Sequence, residues 1–265
     1  MLVSVLALLV SKERTREAFV GRAAHAVFMN LIAREDPALA EAIHAGREPP
    51  PFTASSLLPA GQHDARLLRF TALEPAVTAA LLQAVAKGID KLTLGDVTFR
   101  VQGWLKEPCQ HPLAARTSYE ELAAPWLSGP SPAPKRVTLQ FLSPTAFHSQ
   151  GKNVPLPLPA LVFGGLLERW NAFAPIKFSP DFCSQVNASL VVSRFHLRSH
   201  MVPLAGGRQV GFTGTCEYTA LTEDPYFLAL VNILADFALY AGVGIKTAMG
   251  MGQTRRLPEE GPEPR

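Results

Sequence analysis

Two successive runs of strand, helix, strand, strand, helix, strand, parted by a proline-rich stretch, predict an α+β protein of tandem ferredoxin-like domains with antiparallel sheets. In the first run, Leu2–Val10 is an apolar strand, and Thr15–Ala33 is a helix carrying Phe19, Val20, Val27, Phe28, Leu31 and Ile32. A second helical piece extends to His44, followed by strands Phe52–Leu58 and Ala65–Leu73, helix Glu74–Lys87 and strand Lys91–Leu105. The second run reads as strand Arg136–Phe141, helix Pro159–Ala172, strands Ala188–Met201 and Gln209–Thr219, helix Pro225–Tyr240 and a last short strand Gly252–Leu257. Between them PWLSGPSPAP, with four prolines and no periodicity, reads as a linker over residues 125–134. The expected domains are therefore 1–124 and 135–265.

Composition bounds the function. At 265 residues and 48% apolar content the chain fills two compact cores. A net charge of +3 makes any nucleic-acid surface a local patch rather than a basic tail. Three scattered cysteines, Cys109, Cys183 and Cys216, argue for a reducing compartment, so the cytoplasm is expected. Cys109 and His111 form one pair without a second cluster, and no metal or cofactor is expected. The opening MLVSVLALLV lacks the basic flank and cleavage site of a signal peptide, and no apolar stretch is long enough to span a membrane.

The densest motif is GVGIKTAMGMG, Gly242–Gly252. It is neither of the familiar phosphate loops: Lys246 follows Ile245 rather than glycine, and Thr247 stands where a dinucleotide fingerprint has its third glycine. The helix before it is apolar nearly all round, with Asn232, Asp236 and Tyr240 as one polar stripe, so it is buried and Gly242 is suited to a left-handed residue at its end. A loop hanging from a helix C-terminus would have to hold an anion with a nest of backbone N–H groups and the Lys246 ammonium.

GVGIKTAMGMGQTRR, after a helix ending Phe-Ala-Leu-Tyr-Ala, resembles the C-terminal glycine-rich signature of the CRISPR-associated repeat-processing endoribonucleases of the RAMP superfamily. FLSPTAF (Phe141–Phe147), GFTGTCEY (Gly211–Tyr218) and PPFTASSL (Pro50–Leu57) resemble segments of that family in the same order, so the resemblance spans both halves. It implies a protein that binds the hairpin of CRISPR repeat RNA and cuts the precursor without metal at the 3′ base of the stem. It also implies a catalytic histidine shortly before the PFTxS-like strand, where His44 stands, and a second group from the first helix, where His25 stands. Gly242, Gly244, Lys246, Thr247, Gly250 and Gly252 would help place the RNA.

The residue types suit that chemistry. Cleavage by the ribose 2′-OH needs a base, an acid for the 5′-oxygen and cationic help, and leaves a 2′,3′-cyclic phosphate and a 5′-OH. Histidine serves as base or acid near neutrality. His44 is otherwise a histidine at a helix exit favoured by the dipole, and His25, on one face with Arg22 and Met29, is otherwise part of a surface stripe or of the core's edge. In SRFHLRSHM, Arg194, His196, Arg198 and His200 alternate and so share one strand face, fit for phosphates or simply solvated. Arg255, with Arg256, adds backbone contacts or solvates the tail, and EEGPEPR at residues 259–265 reads as a frayed end. The aromatic residues Trp104, Trp126, Phe147 and Trp170 read as core. Two rivals remain at this level: a non-catalytic RAMP subunit holding guide RNA, and an enzyme cradling a small nucleotide in the glycine loop. Association with other CRISPR effector subunits and homodimerisation stay open.

Overall fold

Strand β1, Leu2–Val10, is the centre of the first unit because its residues are apolar on both faces: Val3, Val5, Ala7 and Leu9 turn to one side and Leu2 and Leu6 to the other, all buried. The computed structural model describes residues 1–11, 13, 19–46, 48–61, 65–204 and 207–258. After β1 come α1 (Gly21–Glu35), α2 (Pro37–His44), β2 (Phe52–Ala54), β3 (Leu58–Pro59), β4 (Ala65–Ala72), α3 (Pro75–Ala86), β5 (Lys91–Leu94), β6 (Val97–Leu105) and β7 (Ala115–Thr117). The sheet runs β2-β4-β1-β6-β5, every pair antiparallel, with β3 added to β4 and β7 to β1. A first strand held between the third and the last, with the second at the edge, is the ferredoxin-like order.

Helix α1 buries Ala24, Val27, Phe28, Leu31 and Ile32 on the sheet, and Phe28 stacks on Phe52 at 3.8 Å. Asp36 ends one helix and starts the next: its N–H donates to Ile32 O, its side chain accepts from Leu39 N, and Pro37 opens α2. On the opposite face of the sheet Arg69 is fully buried, its Nε donating to Ser4 Oγ at 2.8 Å while that hydroxyl donates to the Leu113 carbonyl at 2.5 Å.

The second unit comprises α4 (Tyr119–Leu127), β8 (Arg136–Thr145), the small hairpin β9 (Phe147–Ser149) and β10 (Lys152–Val154), α5 (Pro159–Phe173), α6 (Asp181–Ser189), β11 (Leu190–Leu204), β12 (Gly207–Ala220), α7 (Pro225–Ala241) and β13 (Thr254–Leu257). Its sheet, β11-β12-β8-β13, repeats the same order and is again antiparallel throughout. Trp170 anchors its core, stacked on Phe178 at 4.8 Å and edge-on to Tyr119 and Phe237.

Several boundaries differ from those expected. The predicted strand Lys91–Leu105 is a hairpin that turns at Gly95-Asp96, and Phe52–Leu58 is two short strands. The first helix begins at Gly21; its expected start at Thr15 lies outside the described residues, as does the tail from Glu259. Pro125, expected to open a linker, sits inside α4, because Glu120, Leu122 and Ala123–Ala124 favour a helix that one missing N–H does not break. The first unit covers Met1–Ser118 together with Lys246–Met251, and the second Tyr119–Ile245 with the chain from Gly252. Among the described residues no helix is long and apolar enough to cross a membrane.

Replacing Ser4 by alanine removes both the bond from Arg69 Nε and the bond to the Leu113 carbonyl, so Ser4→Ala is expected to cost about 1–3 kcal/mol, read as a lower urea midpoint.

Candidate functional site

His25 projects from α1 at a point where the helix passes under the glycine loop. It is half-buried, its Nδ1 lies 3.2 Å from the Ala248 carbonyl oxygen, and its ring is tilted against Phe52 at 5.4 Å. Burial holds its pKa below the ordinary 6.5, the hydrogen bond to Ala248 opposes that, and the charge of His44 adds to it. His44 is the last residue of α2 and is exposed. The two predicted histidines thus belong to one unit, and His44 lies close enough for its charge to act on His25. Arg22, one turn before His25, is exposed on the same helix.

The loop itself is built otherwise than expected. Gly242 takes a positive φ of 64°, the region expected of a glycine that ends a helix, but its ψ of 177° lies outside the left-handed helical conformation. The carbonyls left open at that helix end are taken by Arg169 of α5, which donates to Ala241 O at 2.6 Å, Gly242 O at 3.1 Å and Gly244 O at 2.7 Å. Lys246 is the residue that turns left-handed, at φ 55°, and it is exposed. A single 3₁₀ turn, Thr247–Met249, then carries Ala248 to His25, with Thr247 only 2% exposed.

The expected nest of free N–H groups is largely absent. Gly242, Val243, Ile245, Met249, Gly250, Met251 and Gly252 all donate to backbone carbonyls, among them Gly250 to Ala54 O at 2.9 Å, beside a parallel bridge between Ser55 and Gly250. Of the loop residues expected to hold RNA, Lys246 is exposed and Gly244 partly so, whereas Gly242, Thr247, Gly250 and Gly252 are buried. The glycines serve close packing. A Cβ on Gly21 would overlap the Met249 carbonyl, and one on Gly250 would stand 2.9 Å from the Gly21 Cα and 2.8 Å from the Phe19 ring.

In the second unit β11 keeps its alternation through the stretch in question. Arg194, His196, Arg198 and His200 pair in register with Glu217, Thr215, Thr213 and Gly211, so all four share the sheet face turned away from Cys216 and Tyr218, which are core. Arg194, His196 and Arg198 are exposed, while His200 Nε2 lies 2.7 Å from Thr213 Oγ1. Arg255 reaches the same face from β13, its Nε donating to Gln140 Oε1 at 2.8 Å. A cavity of about 560 Å³ opens there, lined by Arg136, Thr138, Arg194, Thr215 and Glu217 among others.

Arg256 points the other way and is structural. It contacts Asp236 Oδ1 at 3.2 Å and Asn232 Oδ1 at 2.7 Å and lies 4.8 Å above the Trp126 ring, whose Nε1 donates to Asp236 Oδ2 at 2.6 Å. Burial still pushes the Asp236 carboxyl above its usual range, against the pull of Arg256 and the Trp126 N–H. The polar stripe Asn232–Asp236 on an otherwise apolar helix was therefore the signal for a buried cation that the sequence left unassigned. Arg169 and Gly21 had weaker signals: a lone arginine in an apolar helix, and a glycine at a helix start. Among the described residues no three His, Cys, Asp or Glu side chains cluster as a metal site.

The family model of the CRISPR-associated endoribonuclease Cas6 matches residues 139–254. The Cas6 of Mycobacterium tuberculosis is 32% identical over 128 residues, 48% of this chain and 40% of that protein. That of Streptococcus thermophilus is 25% identical over 114 residues, 42% of this chain and 46% of the relative. The chain thus matches less than half the length of these curated relatives. Two structures of a Thermus thermophilus Cas6 are similar over nearly the whole fold. One, a product complex, is 31% identical over 97% of this chain and 100% of its own, with a TM-score of 0.85. The other is 30% identical over 97% and 98%, with a TM-score of 0.77. With the glycine loop, the doubled ferredoxin-like order and this full-length likeness in agreement, the chain belongs to the Cas6 family of CRISPR-associated endoribonucleases.

Proposed function

We propose that this protein is a metal-independent endoribonuclease that binds the stem-loop of CRISPR repeat RNA and cuts the precursor transcript within the repeat. The observation that carries the reading is the placement of His25 and His44 on two helices packed against each other in one unit, near enough for the charge of His44 to act on His25, in a chain of this family. In the reaction a base withdraws the ribose 2′-OH proton, the 2′-oxygen bonds to the adjacent phosphorus, and the bond to the 5′-oxygen breaks as an acid protonates it. The products are a 2′,3′-cyclic phosphate and a 5′-OH. Arg22 beside His25 and Lys246 beside the Ala248 turn are exposed cations able to offset charge on the phosphorane.

Arg194, Arg198 and Arg255 supply backbone contacts from the open sheet face of the second unit, which position the RNA without reading its sequence. Specificity then rests on hairpin shape and unpaired flanking bases. The glycines Gly242, Gly244, Gly250 and Gly252, with Thr247, act by shaping the loop that presents Lys246 and Ala248.

The deciding experiment is cleavage of labelled repeat hairpin RNA in EDTA beside the same RNA carrying a 2′-deoxy sugar at the scissile nucleotide. The first is expected to be cut and the second to survive, with His25→Ala and His44→Ala each slowing the step by about 10²–10⁴-fold. Binding of both RNAs with cleavage of neither would make the protein a structural RNA-binding subunit. Salt titration of RNA binding supplies a further check: Arg194→Ala and Arg198→Ala should each lower the slope of log affinity against log salt by roughly 1, with the cut site unchanged.

A further inference from the structure

His25 makes one hydrogen bond, and its partner can only accept. Because the Ala248 oxygen is a carbonyl 3.2 Å from Nδ1, the nitrogen must carry the proton that joins them. Resting on the reaction proposed above, we infer that the Ala248 carbonyl is a positioning group for the cleavage: it fixes neutral His25 as the Nδ1–H tautomer, leaves Nε2 open to the ribose 2′-OH, and so makes His25 the base and His44 the acid.

The lock is rigid on both sides. On the histidine side, Phe52 of β2 stands against the ring at 5.4 Å, and α1 is packed onto the sheet through Phe28 and Ile32. On the loop side, Met249 and Met251 both donate to Lys246 O, and Gly250 is fastened to Ala54 O at 2.9 Å. The first two bonds hold the shape of the turn, the third must break for the loop to withdraw, and the loop lies this close because positions 21 and 250 carry no side chain.

The surroundings of His25 work against a charge on its ring. The groups facing His25 are the Ala248 carbonyl from the loop, the Phe52 ring from β2 and His44 from α2, with Arg22 on its own helix and Lys246 on the loop both exposed. Burial and the nearness of His44 both disfavour a charge on His25, so its ring stays neutral and able to accept a proton. Among the described residues the His44 ring makes no hydrogen bond, which leaves it free to donate to a leaving group. The step balances: Nε2 of His25 takes the 2′-OH proton as the O2′–P bond forms, and the P–O5′ electrons go to the 5′-oxygen, which takes its proton from His44. Water then returns one proton from His25 and restores one to His44.

The test has a spectroscopic arm and a kinetic arm, both on the full chain. Histidine ¹⁵N resonances at slightly alkaline pH, assigned by the signal lost in His25→Gln, are expected to show Nδ1 protonated and Nε2 bare; the reverse pattern overturns the lock. Gly250→Ala, which must push the turn off Gly21 and Phe19, should give a mixed tautomer and slower cleavage, and if that variant does not fold the wild-type tautomer still decides.

In the kinetic arm the scissile 5′-oxygen is replaced by sulfur, a leaving group that needs no acid. His44→Ala is expected to recover to within about tenfold of the unsubstituted protein on this substrate, while His25→Ala stays down by about 10²-fold or more. Because His25 titrates below 6.5, cleavage of the sulfur-substituted RNA, which needs no acid, should rise with pH through the acid range and level near neutrality. Rescue of His25→Ala by sulfur reverses the two roles and overturns the inference. Failure of the wild-type chain to cut either substrate overturns the reaction itself, and with it both roles, and is told apart from a reversal because nothing is then rescued.

Discussion

Two stretches of backbone that come closer than side chains permit hold the turn Thr247–Met249 against α1 in the first unit. The Met249 carbonyl occupies the space a Cβ would need at Gly21, and Gly250 rests on the same glycine. From that approach the remaining geometry follows: the turn Thr247–Met249 presents Ala248 to His25, Gly250 extends the hydrogen bonding of β2 through Ala54, and Val20, just before the helix, donates to Ser56 Oγ at 3.0 Å. Each bond is worth only about 1 kcal/mol net, but a larger residue at either glycine breaks several at once and leaves buried groups without partners.

The loop's glycines illustrate how a motif can be recognised before its physics is. Glycines around a lysine suggest free amides waiting for a phosphate, yet most of those amides are spent on neighbouring carbonyls. What glycine provides at positions 21 and 250 is proximity. The cation that offsets the helix end is likewise remote in sequence: Arg169 lies 72–75 residues before the carbonyls it bonds, so no local pattern announces it.

Much of the architecture was legible because its signals are local. The apolar run Leu2–Val10, the spacing of Val27, Phe28, Leu31 and Ile32 and the alternation from Arg194 to His200 each report a period that the fold obeys. The reading failed where two signals compete. Gly95-Asp96 interrupts an alternation that looks continuous, and Pro125 masks the helix around it. Adjacent residues with opposite fates were equally hidden. Arg255 and Arg256 are chemically identical, but strand alternation sends one to an open face and the other to Asp236, Asn232 and Trp126. The positions of His25 and His44 came from family resemblance, and only the fold reveals that a carbonyl more than 220 residues downstream of His25 lies within hydrogen-bond reach of its ring.

The first unit takes six residues, Lys246–Met251, from more than 120 residues beyond Ser118. A ribosome making this protein releases the strands and helices of that unit long before it releases the turn that packs on Gly21. Until then the nascent unit carries an uncovered helix start and an untethered imidazole. The hydrogen bond between His25 and Ala248 thus forms only after the chain through Met251 has been made, although both histidines are in place long before.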